Sequence, residues 1–155
     1  MKNQRIDALQ KARNYAFLLL KFRLRSEKEL AERLKRKKFE PRVISETLAF
    51  LKEKRFLDDR LFAKTWIEWR IAKPLGVIRL RQELRAKGID KEIIDETLEE
   101  VKKNYSEESV VSGLAKERFK KLKGVERNKA KQRILGYLLR RGFSTDLVIE
   151  AIRRL

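Results

Sequence analysis

Two stretches of the chain gather carboxylates closely enough to suggest chemistry: Asp58-Asp59, and the run Asp95-Glu96-Thr97-Leu98-Glu99-Glu100. Metal-assisted hydrolysis of a phosphodiester would need such groups to converge on one ion. Neighbours on a helix point roughly 100° apart, so Asp58 and Asp59 cannot share a ligand. Asp58 suits a helix cap instead, and the run from Asp95 to Glu100 alternates with apolar residues, as a solvated helix face does. The chain contains no His and no Cys. That removes thiol chemistry, disulfides, the usual zinc sites and the commonest general base. No GxxxxGK[ST] loop is present for nucleotide phosphates, and no nucleophile–base pair can be assembled. A metal-dependent nuclease is therefore disfavoured, no cofactor is expected, and binding is the chemistry left.

Charge points the same way. Among 155 residues, 41 Lys and Arg face 23 Asp and Glu, a net charge of +18. Such an excess calls for a polyanion or an acidic protein surface. It is uneven: residues 1–56 carry 17 basic against 7 acidic side chains, residues 57–104 carry 11 against 10, and residues 105–155 carry 13 against 6. Candidate binding residues cluster at predicted helix ends. They are Arg33, Lys35, Arg36 and Lys37, then Lys120, Lys121 and Lys123, then Arg140 and Arg141. Arg79, Arg81 and Arg85 in the near-neutral middle suit a protein contact better than DNA. Cations at a helix C-terminus also complement the helix dipole, and a Lys/Glu-rich surface accompanies heat stability. Neither explains the imbalance of sign.

These side chains ride on a repeated unit. Residues 26–51, 76–101 and 130–155 align as two helices joined by a short turn. Leu30, Leu80 and Ile134 share a column, as do Leu34, Leu84 and Leu138, and then Ile44, Ile94 and Val148. Repeats of this period are stacked units, each too small to bury its own apolar face. Gly88 and Gly142 mark left-handed helix stops, followed by Asp90 or Ser144 as the next cap. Lys38 stands where the other copies have glycine, which predicts a positive φ there. Phe39, Ile89 and Phe143 precede the caps and should staple to Ile44, Ile94 and Val148. A helix pair of this kind also suggests helix-turn-helix DNA binding, but its apolar columns are accounted for by packing.

A further helix precedes each pair. The first spans Ile6 to Leu24, with Ile6, Leu9, Ala16, Leu20 and Leu24 as the buried stripe. Ser26 with Glu29 forms a capping box for the next, and Pro41 opens the third. Asp58 caps a helix to about Ala72 in which Phe62, Trp66 and Trp69 are expected in the core rather than as a base-stacking platform. Ser106 caps another, with Val110, Leu114 and Phe119 inward. The expected fold is all-α: nine helices, three tandem three-helix repeats, at residues 1–56, 57–104 and 105–155. No apolar run approaches the ~18 residues of a membrane span, so a soluble, intracellular protein is expected.

Phe56-Leu57-Asp58-Asp59 with Phe62-Ala63, then residues 76–89 (GVIRLRQELRAKGI), then residues 138–144 (LLRRGFS), resemble the RecX regulatory proteins of bacteria. The match covers nearly the whole chain in order. The resemblance implies an elongated, curved array in the cytoplasm, monomeric, that binds the RecA recombinase filament. It also implies suppression of RecA's ATP hydrolysis, strand exchange and co-protease activity, and binding to single- and double-stranded DNA without sequence preference. Two departures stand out. Lys38 replaces glycine, and Pro74-Leu75-Gly76 replaces a tighter Gly-Pro start, which bears on how Arg79 and Arg81 are presented. The alternative is a stand-alone basic helical DNA-binding protein.

A compact globule of this length has a radius of gyration of about 15 Å. Three triplets touching only their neighbours should exceed it clearly. Small-angle scattering decides, and a compact value would rule out an open array.

Overall fold

A computed structural model describes all 155 residues. Nine helices occur: α1 (Lys2–Phe22), α2 (Glu27–Arg36), α3 (Pro41–Glu53), α4 (Asp59–Ile71), α5 (Val77–Ala86), α6 (Lys91–Lys102), α7 (Glu107–Lys121), α8 (Arg127–Arg140) and α9 (Thr145–Arg153). There are no strands, and none of the helices is long and apolar enough to cross a membrane. The residues group into two compact units, one of 1–65 with 84–93 and the other of 66–83 with 94–155. The middle triplet is divided between them.

Local sequence signals start the helices. The Ser26 hydroxyl accepts the Glu29 amide at 3.2 Å while Glu29 accepts the Ser26 amide at 3.1 Å, a complete capping box. Asp58 accepts the amides of Arg60 and Leu61, Ser106 that of Ser109, and Ser144 that of Leu147. Glu40 caps α3 by position alone, ahead of Pro41, and its side chain makes no cap bond. Helices α2, α5 and α8 end alike. Phe39, Ile89 and Phe143 each donate their amide back to Leu34, Leu84 and Leu138, while residues 38, 88 and 142 donate to Lys35, Arg85 and Leu139. This is the Schellman pattern, and it demands a left-handed residue. Lys38 adopts φ 63°, beside 75° at Gly88 and 86° at Gly142. The same arrangement recurs at the end of α3, where Arg55 takes φ 60° and Phe56 donates to Leu51.

In the first unit α1 and α2 pack on α3, burying Ala12, Ala16, Leu19, Leu30, Leu34, Val43, Leu48 and Leu51. Ile6 and Leu24 do not belong to this core: they are 64% and 40% exposed. The buried face of α1 runs through Ala12, Ala16 and Leu19, more than a quarter-turn from Ile6, and Leu24 lies past the helix end. In the second unit α7, α8 and α9 bury Val111, Ala115, Ile134, Leu138, Phe143 and Val148. Val110, Leu114 and Phe119 are only half-buried there. The innermost positions of α7 are one residue further round, where Ala115 lets the helices approach. On α4 Ala63 and Ile67 are fully buried, and Trp69 is 62% exposed rather than core. It stands two turns above the buried Phe62, on the same line. Periodicity fixes a side chain's angle, but not how far along the helix its cover extends.

Each unit also contains a joint in which the start of one helix sits on a later helix turn. The buried Ser26 hydroxyl donates to the Lys87 carbonyl at 2.7 Å, and the first amide of α2, on Glu27, donates to Asp59 at 2.9 Å. In the second unit the Gly76 amide donates to the Arg141 carbonyl at 2.8 Å, and the first amide of α5, on Val77, donates to Glu107 at 2.7 Å. Free amides at a helix start need such acceptors. Asp58 therefore caps its own helix, while its neighbour Asp59 caps α2. Backbones touch in the second joint: a Cβ on Gly76 would overlap the Gly142 carbonyl, and one on Gly142 would overlap Arg79. Glycine at 142 is thus required by both conformation and space. Lys38 is exposed, leaving only the conformational constraint.

Lys38→Gly should be neutral or stabilise by up to about 1 kcal/mol, despite losing a charge. Gly142→Ala should destabilise by clearly more than that, through the joint as well as through φ. Urea melts of both variants check this; equal effects would show that the joint is not a close backbone contact.

Candidate binding surfaces

The carboxylates that suggested metal chemistry are engaged in the fold. Asp59 is held by the Glu27 amide, and burial pushes its carboxyl above the ordinary value, with the nearby Glu27 and Asp90 charges adding to that. Asp95 pairs with Arg81, Glu99 with Lys102 and Glu100 with Lys103. No three carboxylates are grouped to hold a metal ion.

The predicted basic residues divide into two sets. Three are tied into the structure. Arg79 reaches Glu83 at 3.4 Å and the Arg140 carbonyl at 3.2 Å. Arg81 pairs with Asp95. Arg141 donates to the Pro74 carbonyl at 3.0 Å and lies over the Tyr137 ring at 4.9 Å. Lys121 is exposed but holds Glu117 at 2.7 Å, and Lys37 lies 5.2 Å over the Tyr15 ring. The others make no ion pair within the chain. Lys35, Arg36, Arg85, Lys120, Lys123 and Arg140 are exposed at helix ends without an ion pair, and Arg33 is half-buried without one. All three middle arginines lie on α5, but Arg79 and Arg81 are bonded within the fold and Arg85 is not. The start Pro74-Leu75-Gly76 has a definite effect on Arg79. With Gly76 on the turn at Gly142, the Arg79 backbone lies against Gly142 and its guanidinium reaches the Arg140 carbonyl.

Sequence reasoning passed over three arginine clusters at one position of the repeat. In the second copy Glu83 accepts Arg70 at 2.7 and 2.9 Å, Trp66 Nε1 at 3.0 Å and Arg79. Burial alone would raise its carboxyl, but these bonds outweigh that and hold it below the ordinary range. In the third copy the Tyr137 ring is faced by Arg118 at 4.7 Å and by Arg141. In the first copy the position is Arg33, beside Arg25 and Arg36. Their spacing gave no signal, because Arg25 and Arg70 come from other segments. Trp69 is the largest exposed aromatic, with Trp66 edge-on at 5.3 Å and the Arg70 guanidinium 5.5 Å from its ring.

These features define an all-α protein of tandem three-helix repeats, whose candidate sites are charged helix ends. Comparison with known proteins agrees. Residues 12–51, 58–98 and 107–152 match, in order, the first, second and third three-helix domains of RecX. A regulatory protein RecX from Haemophilus influenzae strain PittEE is 36% identical over 134 residues, covering 86% of this chain and 87% of that one. One from Amycolatopsis mediterranei is 32% identical over 148 residues, covering 95% and 84%. The crystal structure of RecX from Lactobacillus salivarius superposes with a TM-score of 0.83 at 23% identity, over 97% of each chain. The chain belongs to the RecX family of regulatory proteins.

One ionisable group couples a joint to pH. Glu29 is held by Arg23 at 3.0 Å, Lys87 at 2.7 Å and the Ser26 amide. Burial would raise its carboxyl, but those three bonds bring it down to about 2. A depressed carboxylate stabilises the fold fully above its ordinary value, and that contribution is lost as pH falls toward the folded value. Glu29→Gln should therefore be less stable than the parent at pH 7, with the gap closing from about pH 5 to about pH 2. Urea midpoints across that range measure it; a constant gap would mean that Glu29 does not titrate with folding.

Proposed function

We propose that the protein is a non-catalytic regulator that binds the RecA recombinase filament together with DNA, and that it suppresses the filament's ATPase, strand-exchange and co-protease activities. The observation that carries this reading is the match of all three helical segments, in order, to one regulatory family. The DNA component is supported by unpaired cations at helix ends: Lys35 and Arg36 in the first segment, Lys120, Lys123 and Arg140 in the third. Phosphate contacts by such side chains are sequence-independent and salt-dependent. The second reading, a basic DNA-binding protein acting alone, draws on the same cations.

In this proposal the terminal segments meet phosphates, and Arg85 takes the protein-contact role first expected of all three middle arginines. Arg79 and Arg81 are withdrawn from it because both are consumed within the fold. Exchanging Lys35, Arg36, Lys120, Lys123 and Arg140 for Gln should lower the salt slope by about 0.9 per lost contact on duplex DNA and about 0.7 on single strands. Arg85→Gln should spare DNA binding and weaken inhibition of RecA ATPase. Salt titrations of DNA binding beside ATPase-inhibition curves measure both effects. If the parent protein inhibits ATPase only at concentrations that coat the DNA, the stand-alone reading replaces this one. If Arg85→Gln abolishes DNA binding while the terminal changes leave it intact, the assignment of roles is reversed.

A further inference from the structure

The three copies of the repeat place one position, 33, 83 or 137, immediately before the buried leucines Leu34, Leu84 and Leu138. Each is the centre of a group of arginines, but the centres differ in kind. Glu83 is an anion and takes two hydrogen bonds from Arg70 and one from Arg79. Tyr137 is an aromatic ring and takes Arg118 and Arg141 on its π-system. Both groups are thereby satisfied from within the chain. In the first copy the centre is itself cationic, and nothing in the chain answers it.

Arg25 comes from the link between α1 and α2, and Arg33 and Arg36 from α2, three residues apart on one face. They line a cavity of about 230 Å³ together with Glu29 and Glu32. Neither carboxylate forms a hydrogen bond or ion pair with them. Glu29 is occupied by Arg23 and Lys87, and Glu32 leans toward Lys28 at 3.9 Å. The Nε atoms of Arg25 and Arg33 are buried without an acceptor. Burial, with the charges of Arg23 and Arg33, also lowers the Arg25 pKa against the opposing charge of Glu29, as expected of crowded cations. Buried donors without partners are rare in folded proteins and each calls for an explanation, an ion that would occupy it being one. Planar guanidinium groups of this kind match phosphate oxygens in pairs.

We propose that Arg25, Arg33 and Arg36 form a binding site for a phosphate group. The cavity is small enough to suit one phosphate or a short phosphate chain rather than a whole drug-sized ligand. Two sources share that chemistry: a phosphodiester of a nucleic-acid strand, and the phosphates of a free nucleotide. The strand is the source expected if the DNA-binding reading above holds, and for that source the inference rests on it. Arg25 then joins Arg33 and Arg36 as a contact, and the first segment holds the strand at a defined point rather than through a diffuse field.

The experiment compares the intact protein with Arg33→Gln, Arg36→Gln and Lys54→Gln; the last removes an equal charge from an exposed position outside the cavity. Binding of labelled oligothymidylate is followed by anisotropy, and protection by pyrophosphate and by ATP is followed by thermal shift. Loss of one charge-assisted contact should weaken strand binding by about tenfold in Arg33→Gln and Arg36→Gln, against about twofold or less in Lys54→Gln. Protection by the strand alone identifies the phosphodiester; stronger protection by pyrophosphate or ATP, lost in Arg33→Gln, identifies a free polyphosphate. If the parent binds no strand at all, the DNA reading fails while pyrophosphate protection still decides the site. If Lys54→Gln weakens binding as much as Arg33→Gln, or if no phosphate compound distinguishes the variants, the cluster is only part of a general basic field and the site is overturned. Arg36 is exposed, so its variant keeps the test valid should Arg33→Gln fold poorly.

Discussion

A helix start has amides with no partner inside the helix, and here the partner comes from a residue far along the chain. The first amide of α2 is satisfied by Asp59 and the first amide of α5 by Glu107, while Ser26 and Gly76 bond the carbonyls of Lys87 and Arg141. Each short helix pair would otherwise leave polar groups and an apolar face exposed. The capping of one segment by another makes the segments mutually dependent. It also dictates composition at the contact. A carboxylate must open α4 and α7, and glycine must hold the turn wherever backbone approaches backbone.

The same constraint accounts for the departures in the first copy. Lys38 tolerates φ 63° because its side chain is exposed, whereas Gly142 is pressed against Arg79. Glycine at the two later turns is thus a packing requirement added to a conformational one. The strain at Lys38 is modest, about 1 kcal/mol for a non-glycine residue in that region, and the Schellman hydrogen bonds around it are intact. Arg55 shows the same tolerance at the end of α3.

The basic side chains fall into two groups in the structure. Arg23, Arg70, Arg79, Arg81 and Arg141 spend their hydrogen bonds inside the fold, on carboxylates and carbonyl oxygens. Lys35, Arg36, Arg85, Lys120, Lys123 and Arg140 do not. Surface ion pairs contribute little individually, so the unpaired set is better understood through what it can bind. Arg25 and Arg33 stand between these groups, partly buried like the first and without an ion pair like the second.

The sequence alone determined the helices, their caps and their repeat. Those depend on neighbours three or four residues away: Ser26 with Glu29, Asp58 with the amides of Arg60 and Leu61, Leu34 with the returning amide of Phe39. The positive φ at Lys38 was legible because two other copies of the turn carry glycine, and nearly the whole chain resembled one family. What stayed illegible was set by distance. Asp58 was legible as a cap, but Asp59 had no role without the α2 amide beside it, and Arg79 was indistinguishable from Arg85 without the Arg140 carbonyl. Trp69 shared its helical angle with Phe62, yet only packing decided which of them would be covered. Arg25 entered no motif, because its companions lie beyond the next helix start. Local hydrogen bonds and periodicity are encoded within a turn or two of chain. Which charge is answered within the chain, and which is not, depends on side chains tens of residues apart, and that only the folded chain decided.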